Sequence, residues 1–134
     1  MENLTTVENM EIVTSRVLLR STAPAALTDF YRDVLSLPVA REYPGGTVFH
    51  AGAGLIEIPG HLAGDVPTPA DLLWLQVRDL AAARAELVAA GVEIIAEPET
   101  KPWGLIEMTI HDPDGRGLIL VQIPDDHPLR RDLR

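Results

Sequence analysis

The side chains that could bind a metal ion or act as nucleophiles are few and widely spaced in this sequence. It contains no cysteine, which excludes disulfides, thiolate metal sites and cysteine nucleophiles. Any metal site would therefore need His, Asp, Glu or Gln side chains. The four histidines, His50, His61, His111 and His127, include no pair at a close ligand spacing. The local sequence therefore does not indicate a histidine-based metal centre.

Polar and aromatic side chains do share one face of several predicted strands, because alternate residues of a strand point to opposite sides. A sheet face that mixes charge, indole and amide groups with aliphatic ones is typical of a ligand cavity wall. The other face of each strand is apolar and is predicted to pack under helices. The apolar sets are Val17 and Leu19, Ile56 and Ile58, Leu73, Leu75 and Val77, and Leu118 and Leu120. The mixed sets are Arg16, Leu18 and Arg20, Leu55 and Glu57, Leu72, Trp74 and Gln76, and Gly117, Ile119 and Val121.

The two tryptophans are further candidates for ligand contact. Trp74 lies on the mixed face of its strand, and Trp103 lies in a loop that could cover a cavity mouth. Either indole could stack on a flat or cationic ligand. The alternatives are that Trp74 fills the core and that Trp103 packs against a dimer partner or the turn at Pro102.

The first half of the chain predicts a strand, a helix and three strands. Residues 12–20 are rich in β-branched and aliphatic types, which favours a strand. Residues 25–37 carry apolar side chains at helical spacing, preceded by Ser21 or Thr22 as a cap and by Pro24 in the first turn. Three short strands are then predicted at residues 38–42, 46–50 and 53–58.

The second half repeats this order after a predicted linker over residues 61–69. A strand at residues 71–77 is followed by a helix over 80–90, which Asp79 caps and Gly91 ends. A strand at 92–96 precedes a hairpin, whose strands at 105–111 and 118–123 are joined by Asp112-Pro113-Asp114-Gly115. This turn is interpreted as structural, because Pro and Gly satisfy turn dihedrals. The repeated order indicates an internal duplication.

Length and charge narrow the class of protein. The 134 residues are predicted to form one domain over residues 12–124, with modules at about 12–60 and 71–124, between a flexible lead at 1–11 and a charged tail at 125–134. No apolar run approaches the roughly 20 residues of a membrane span, and the lead does not resemble a secretory signal, so we expect a cytoplasmic protein. The net charge of −9 argues against non-specific nucleic-acid binding, and it either attracts a cationic small molecule or serves solubility alone.

Three features together resemble the vicinal-oxygen-chelate superfamily of glyoxalases, bleomycin resistance proteins and extradiol dioxygenases. They are the repeated element order, the helix end at residues 30–37 (FYRDVLSL), and the stretch from Pro102-Trp103-Gly104 to the turn at 112–115. The resemblance covers residues 12–123. It implies an α+β fold of two βαβββ modules that form an incomplete eight-stranded barrel, with helices outside and a central cavity. It also implies a homodimer.

The resemblance further implies where a metal would bind. The metal enzymes of this family hold a divalent ion with four side chains, and the corresponding positions here are about Arg16, Glu57, Leu72 and Ile119. Of these four, only Glu57 has a suitable donor atom, because aliphatic side chains have none and a guanidinium is permanently positive. We therefore expect no metal or other cofactor, with a divalent metal at displaced ligands as the alternative.

Two polar groups leave alternatives open. Arg16 and Glu57 could recognise a polar ligand, or Glu57 could act as an acid or general base while Arg16 binds an anion. Alternatively, the two side chains could form an ion pair. If Glu107 and His111 face inward with Thr109, they could approach Glu57 in the cavity. Otherwise His111 is a solvent-facing residue at a turn.

These observations predict a metal-independent binding protein for a small organic molecule, either an antibiotic or another flat or cationic compound. The predicted pocket residues are Arg16, Glu57, Leu72, Trp74, Gln76, Trp103, Glu107, His111 and Ile119. One alternative is an enzyme of the same superfamily, namely a lyase, isomerase or dioxygenase with displaced metal ligands, or a metal-free acid/base catalyst at Glu57. Another is a structural or regulatory dimer without a ligand.

Overall fold

A computed structural model of the chain describes residues 10–64 and 69–129. Most of the predicted lead, part of the predicted linker and the end of the charged tail lie outside the described residues. None of the helices within these two ranges is long and apolar enough to cross a membrane.

The first module forms a four-stranded sheet, here called sheet A. Its elements are β1 (Val17–Leu18), α1 (Pro24–Asp29), β2 (Val39–Tyr43), β3 (Gly46–Ala51) and β4 (Gly54–Pro59). The strand order is β1-β4-β3-β2; β1 runs parallel to β4, and the other neighbours are antiparallel. Sheet A therefore has the predicted order of one strand, one helix and three strands, although β1 is much shorter than the predicted strand at 12–20.

The second module repeats this arrangement as sheet B. Its elements are β5 (Leu72–Gln76), α2 (Leu80–Ala89), β6 (Ile94–Thr100), β7 (Ile106–His111) and β8 (Gly117–Gln122). The order is β5-β8-β7-β6, again with one parallel pair, β5 and β8. The predicted α+β class and the two βαβββ modules are therefore confirmed. Within the described residues the two sheets are separate and do not close into a barrel.

Helix α2 begins and ends where its sequence signals place it. The Asp79 carboxylate accepts a hydrogen bond from the N–H of Ala82 at 3.0 Å and so caps the helix. The Leu80 N–H, a second donor of the first turn, bonds to the side-chain oxygen of Gln122 on β8 at 2.8 Å. Gly91 follows the helix with a φ of +83°, a conformation that glycine adopts without strain.

Helix α1 differs from its prediction at both ends. Pro24 begins the helix as expected, but the N-cap is Ala23, and the Ser21 hydroxyl instead accepts a hydrogen bond from the Ala23 N–H at 3.0 Å. From Phe30 to Val34 the backbone widens into a π-helical turn, in which the Leu35 N–H bonds to the Phe30 carbonyl, five residues back, at 3.0 Å. The predicted helix over 25–37 is therefore a short α-helix followed by a wider turn.

One hydrophobic core joins the two modules. The predicted apolar strand faces contribute to it, except at Val17, which is 51% exposed at the start of the two-residue strand β1. The face of each sheet that points away from this core is called its outer face below. The core residues include Leu19, Leu27, Tyr31, Ile56, Ile58, Leu80, Leu87, Met108, Ile110, Leu118 and Leu120.

A buried polar network also joins the modules. The Asp112 carboxylate, at the end of β7, accepts hydrogen bonds from the Tyr31 hydroxyl at 2.9 Å and from the Arg116 guanidinium at 2.6 Å. Arg116 also donates to the Arg20 carbonyl at 3.1 Å. Burial and the neighbouring Asp112 charge raise the pKa of Tyr31 far above its ordinary value. The turn at 112–115 is therefore structural, as predicted, and it also links the first module to the second.

Candidate functional site

The outer face of sheet A brings Arg16 and Glu57 together. An Nη1 of Arg16 lies 3.1 Å from Oε1 of Glu57, and the Tyr43 hydroxyl donates to Oε2 of the same carboxylate. The Glu57 side chain is 12% exposed and that of Arg16 is 35% exposed. Of the two arrangements that the sequence leaves open, the structure contains the ion pair, and it adds Tyr43 as a second donor to Glu57.

Tyr43 reaches Glu57 because Gly46 leaves room for its ring. Tyr43 and Gly46 are register partners in β2 and β3, and a Cβ at position 46 would overlap the phenol ring. The guanidinium carbon of Arg41 lies 5.2 Å from the centre of the same ring, which is a cation–π distance. Tyr43 and Gly46 also line an open depression of about 410 Å³ at the β2–β3 hairpin.

These contacts set the charge state of the cluster. The hydrogen bond from Tyr43 and the charge and hydrogen bond of Arg16 lower the pKa of Glu57, and the charge of His61 acts in the same direction. The hydrogen bond to Glu57 raises the pKa of Tyr43. Glu57 is therefore an ionised carboxylate with both oxygens engaged, which makes it a weak candidate for a general base.

The outer face of sheet B carries most of the other predicted site residues. Trp74 and Ile119 are register partners in β5 and β8, and Thr109 of β7 pairs with Ile119. Leu72 is 60% exposed and Trp74 is 49% exposed. Neither residue fills the core, so the core-filling alternative for Trp74 is not what the structure shows.

Trp103 and Glu107 form a separate contact near the start of β7. The indole N–H of Trp103 donates to Oε2 of Glu107 at 2.7 Å, and the indole is 58% exposed. The Trp103 carbonyl lies 3.1 Å from Nε2 of His127, which fixes the described part of the tail against this loop. Glu107 is therefore engaged with Trp103.

The remaining predicted residues do not assemble into a metal site. His111 is exposed at the end of β7, as its alternative interpretation expects. Among residues 10–64 and 69–129 no three His, Asp or Glu side chains are close enough to hold a metal ion. At the positions implied by the resemblance, Leu72 and Ile119 offer no donor, and both oxygens of Glu57 accept from Arg16 and Tyr43. The residues present therefore do not fit a divalent metal.

A groove of about 1030 Å³ runs beside the free edge of β5. Trp74 and Gln76 are the predicted site residues among those that line it. The first module also contributes to the lining, from the segment after helix α1 and from the β3–β4 turn. The lining also includes Leu35, Leu37, Ala51, Leu75, Val77, Arg78, Leu120 and Asp125.

Sequence reasoning missed Tyr43, Arg41 and the first-module wall of the groove. The alternation of Arg41 and Tyr43 in β2 was a usable signal, because it places both side chains on one face of a strand. The wall of the groove had no comparable signal, because it depends on how the two modules pack against each other.

Comparisons with known proteins agree with this architecture. The sequence profile of the Glyoxalase/Bleomycin resistance protein/Dioxygenase superfamily matches residues 14–119. No curated protein sequence is similar enough to count as a match.

Several solved structures share the fold. The bleomycin resistance determinant encoded on transposon Tn5 is 22% identical, with a TM-score of 0.66, over 84% of this chain and 98% of that one. TioX from Micromonospora sp. ML1 is 20% identical, with a TM-score of 0.66, over 82% and 95% of the two chains. A glyoxalase/bleomycin resistance protein/dioxygenase family enzyme from Burkholderia phytofirmans PsJN is 17% identical, with a TM-score of 0.71, over 82% and 98%. Together with the profile match, the two repeated modules show that this chain belongs to the glyoxalase/bleomycin resistance protein/dioxygenase superfamily.

Proposed function

We propose that the protein binds a small, flat organic molecule without a metal ion and sequesters it in the groove beside Trp74. The observation that carries this proposal is a half-exposed indole, 49% accessible, on the lining of a groove of about 1030 Å³. Small-molecule sites are concave and mostly apolar, with volumes of roughly 300 to 1,000 Å³. The groove is at the upper end of this range and suits a drug-sized compound.

The lining gives such a ligand two kinds of contact. Leu35, Leu37 and Ala51 supply apolar surface on the lining, and the Trp74 ring can stack on a planar group. Gln76 offers an amide donor and acceptor on the same strand. A ligand with a flat apolar part and a polar edge would match both kinds of contact.

The chemistry of the donor set supports binding without a metal. Glu57 is the one carboxylate at the four positions implied by the family, and its two oxygens already accept from Arg16 and Tyr43. Its lowered pKa and the lack of a free oxygen also count against the alternative of acid/base catalysis by Glu57. Binding therefore accounts for the geometry better than a reaction at this carboxylate does.

Sequestration of an antibiotic is the more specific form of the proposal. One structural neighbour is a bleomycin resistance determinant, and the net charge of −9 would attract a cationic compound. We also infer a homodimer, because the exposed apolar side chains Val17, Leu18, Val39 and Leu72 would gain from burial against a second copy. A cytoplasmic location is part of the same proposal. Neither a nucleic acid nor a membrane is expected as a partner.

The test is tryptophan fluorescence with bleomycin and with acridine orange, a flat aromatic cation. Wild type and Trp103→Phe should both be quenched at saturating probe, whereas Trp74→Phe should retain the Trp103 emission unquenched. Trp74→Ala should bind at least about fivefold more weakly, because a stacked aromatic contact is worth roughly 1 kcal/mol or more. Absence of quenching by both probes, or quenching that depends on Trp103, would contradict the proposed groove.

Metal dependence is tested separately with the same probes. Binding should be unchanged by EDTA, and titration with Zn²⁺ or Mn²⁺ should show no stoichiometric site. A one-to-one metal complex that weakens in Glu57→Gln would refute metal independence, even if the probes bind the groove.

A further inference from the structure

Two guanidinium groups lie close to the carboxylate of Glu57 on the outer face of sheet A. Arg16 forms the ion pair, and Arg41 lies over the Tyr43 ring. The charges of Arg41 and Arg16 both act on the Tyr43 hydroxyl, and the charge of His61 acts on Glu57. The two guanidinium groups therefore outnumber the Glu57 carboxylate on this face, although Glu42 lines the adjacent hairpin depression and the whole chain carries a net charge of −9.

The two guanidinium groups are held in place but retain N–H donors without a partner among the described residues. Nη1 of Arg16 donates to Oε1 of Glu57 at 3.1 Å, and the guanidinium has no other partner within residues 10–64 and 69–129. Arg41 contacts the face of the Tyr43 ring and pairs with no carboxylate in the same part of the chain. A guanidinium has five N–H donors in a planar fork, so both groups retain donors directed at solvent or at a ligand.

The neighbouring residues restrict where these donors can go. Glu57, 12% exposed, holds Arg16 on one side and Tyr43 on the other. The missing Cβ at Gly46 lets the Tyr43 ring lie against the sheet, where it supports Arg41. Glu57 and Tyr43 therefore position the two guanidinium groups rather than simply neutralising them.

We propose that the outer face of sheet A carries a binding site for an oxyanion, the carboxylate or phosphate group of a small molecule, with Arg16 and Arg41 as its donors. The planar fork of a guanidinium matches both kinds of group through paired hydrogen bonds. The Tyr43 ring forms the floor of the site, and the depression at the β2–β3 hairpin, which Glu42 also lines, lies beside it. This site is formed by residues other than those lining the groove at Trp74, so it does not depend on the proposed function.

The experiment uses the full chain and three probes of similar shape: benzoate, phenyl phosphate and the neutral benzamide. Isothermal titration should detect at least one of the two oxyanions and no benzamide. In an NMR titration, the side-chain Nε–Hε signals of Arg16 and Arg41 should shift. Arg16→Gln and Arg41→Gln should each weaken the binding about tenfold, as expected for loss of a charged hydrogen bond. Glu57→Gln should strengthen it, because the amide can keep hydrogen bonds to Arg16 and Tyr43 while it removes the competing negative charge.

Arg84→Gln is the matched control. It removes the same charge from an exposed ion pair with Glu97 on another part of the surface and should leave binding unchanged. If Arg16→Gln lowers the melting temperature, Arg16→Lys keeps the charge without the planar fork and should give an intermediate loss. The proposal fails if neither oxyanion binds, if benzamide binds as well as benzoate, or if Arg84→Gln weakens binding as much as Arg16→Gln.

Discussion

Replacing Tyr31 by Phe tests the buried link between the modules with a single-atom deletion. The Tyr31 side chain is 0% exposed, and its hydroxyl donates to the carboxylate of Asp112, itself 4% exposed, at 2.9 Å. Hydrogen bonds to charged groups contribute about 1.5 to 3 kcal/mol. Asp112 keeps its bond from Arg116, so we expect a loss of about 2 kcal/mol in the free energy of unfolding.

The measurement is urea and thermal unfolding followed by circular dichroism. For a domain of this size, a loss of about 2 kcal/mol corresponds to a fall in melting temperature of roughly 8 °C. Tyr43→Phe is a matched control, because it deletes a hydroxyl that also donates to a carboxylate, but at a partly exposed position where water can replace it. Its loss of stability should be much smaller. Equal losses in the two variants, or no loss in Tyr31→Phe, would show that burial of the Tyr31–Asp112 bond does not stabilise the fold.

Three further predictions concern single residues. Gly46→Ala should displace the Tyr43 ring from Glu57 and so lower the pKa of Tyr43 toward its ordinary value. Absorbance at 295 nm across a pH titration measures this pKa. Gly54→Ala, where an added Cβ makes only an ordinary contact, should leave the pKa unchanged. Asp79→Ala should destabilise the fold by about 1 kcal/mol in urea unfolding through loss of the α2 cap, and Asp79→Asn should recover most of this loss. Because the folded state holds the proton of Tyr31 more tightly than the unfolded chain, the contribution of Tyr31 to stability should be constant from pH 8 to about pH 10 and fall above it; melts from pH 8 to 11 that decline equally in Tyr31→Phe would contradict this.

Local signals in the sequence placed helix α2 and the β7–β8 hairpin of the second module, whereas β6 runs to Thr100, beyond the strand predicted at 92–96. Asp79 and Gly91 bracket helix α2, and the alternating apolar residues of β7 and β8 identify the hairpin. These signals act within a few residues of each other, so propensity and periodicity suffice. The two-module fold followed from the repetition of the same order.

Features that depend on contacts between distant residues could not be predicted in this way. The sequence indicated two arrangements of Arg16 and Glu57, but choosing the ion pair requires knowing that Tyr43 also reaches Glu57 across Gly46. The link between Tyr31 and Asp112 joins residues 81 positions apart, and no periodicity reports such a contact. The π-helical turn at Phe30–Val34 likewise follows from packing, because its side chains alone predict a continuous amphipathic helix.

The buried network around Asp112 also bears on whether either half of this chain could exist as a separate protein. The halves have matching element orders, but the second half alone would contain Asp112 and Arg116 without the Tyr31 hydroxyl and the Arg20 carbonyl that complete their hydrogen bonds. The first half alone would expose Tyr31, which is fully buried in the intact chain. We therefore expect the two halves to share an element order without folding independently. Neither half should fold when expressed on its own, whereas the two halves mixed together should recover the fold.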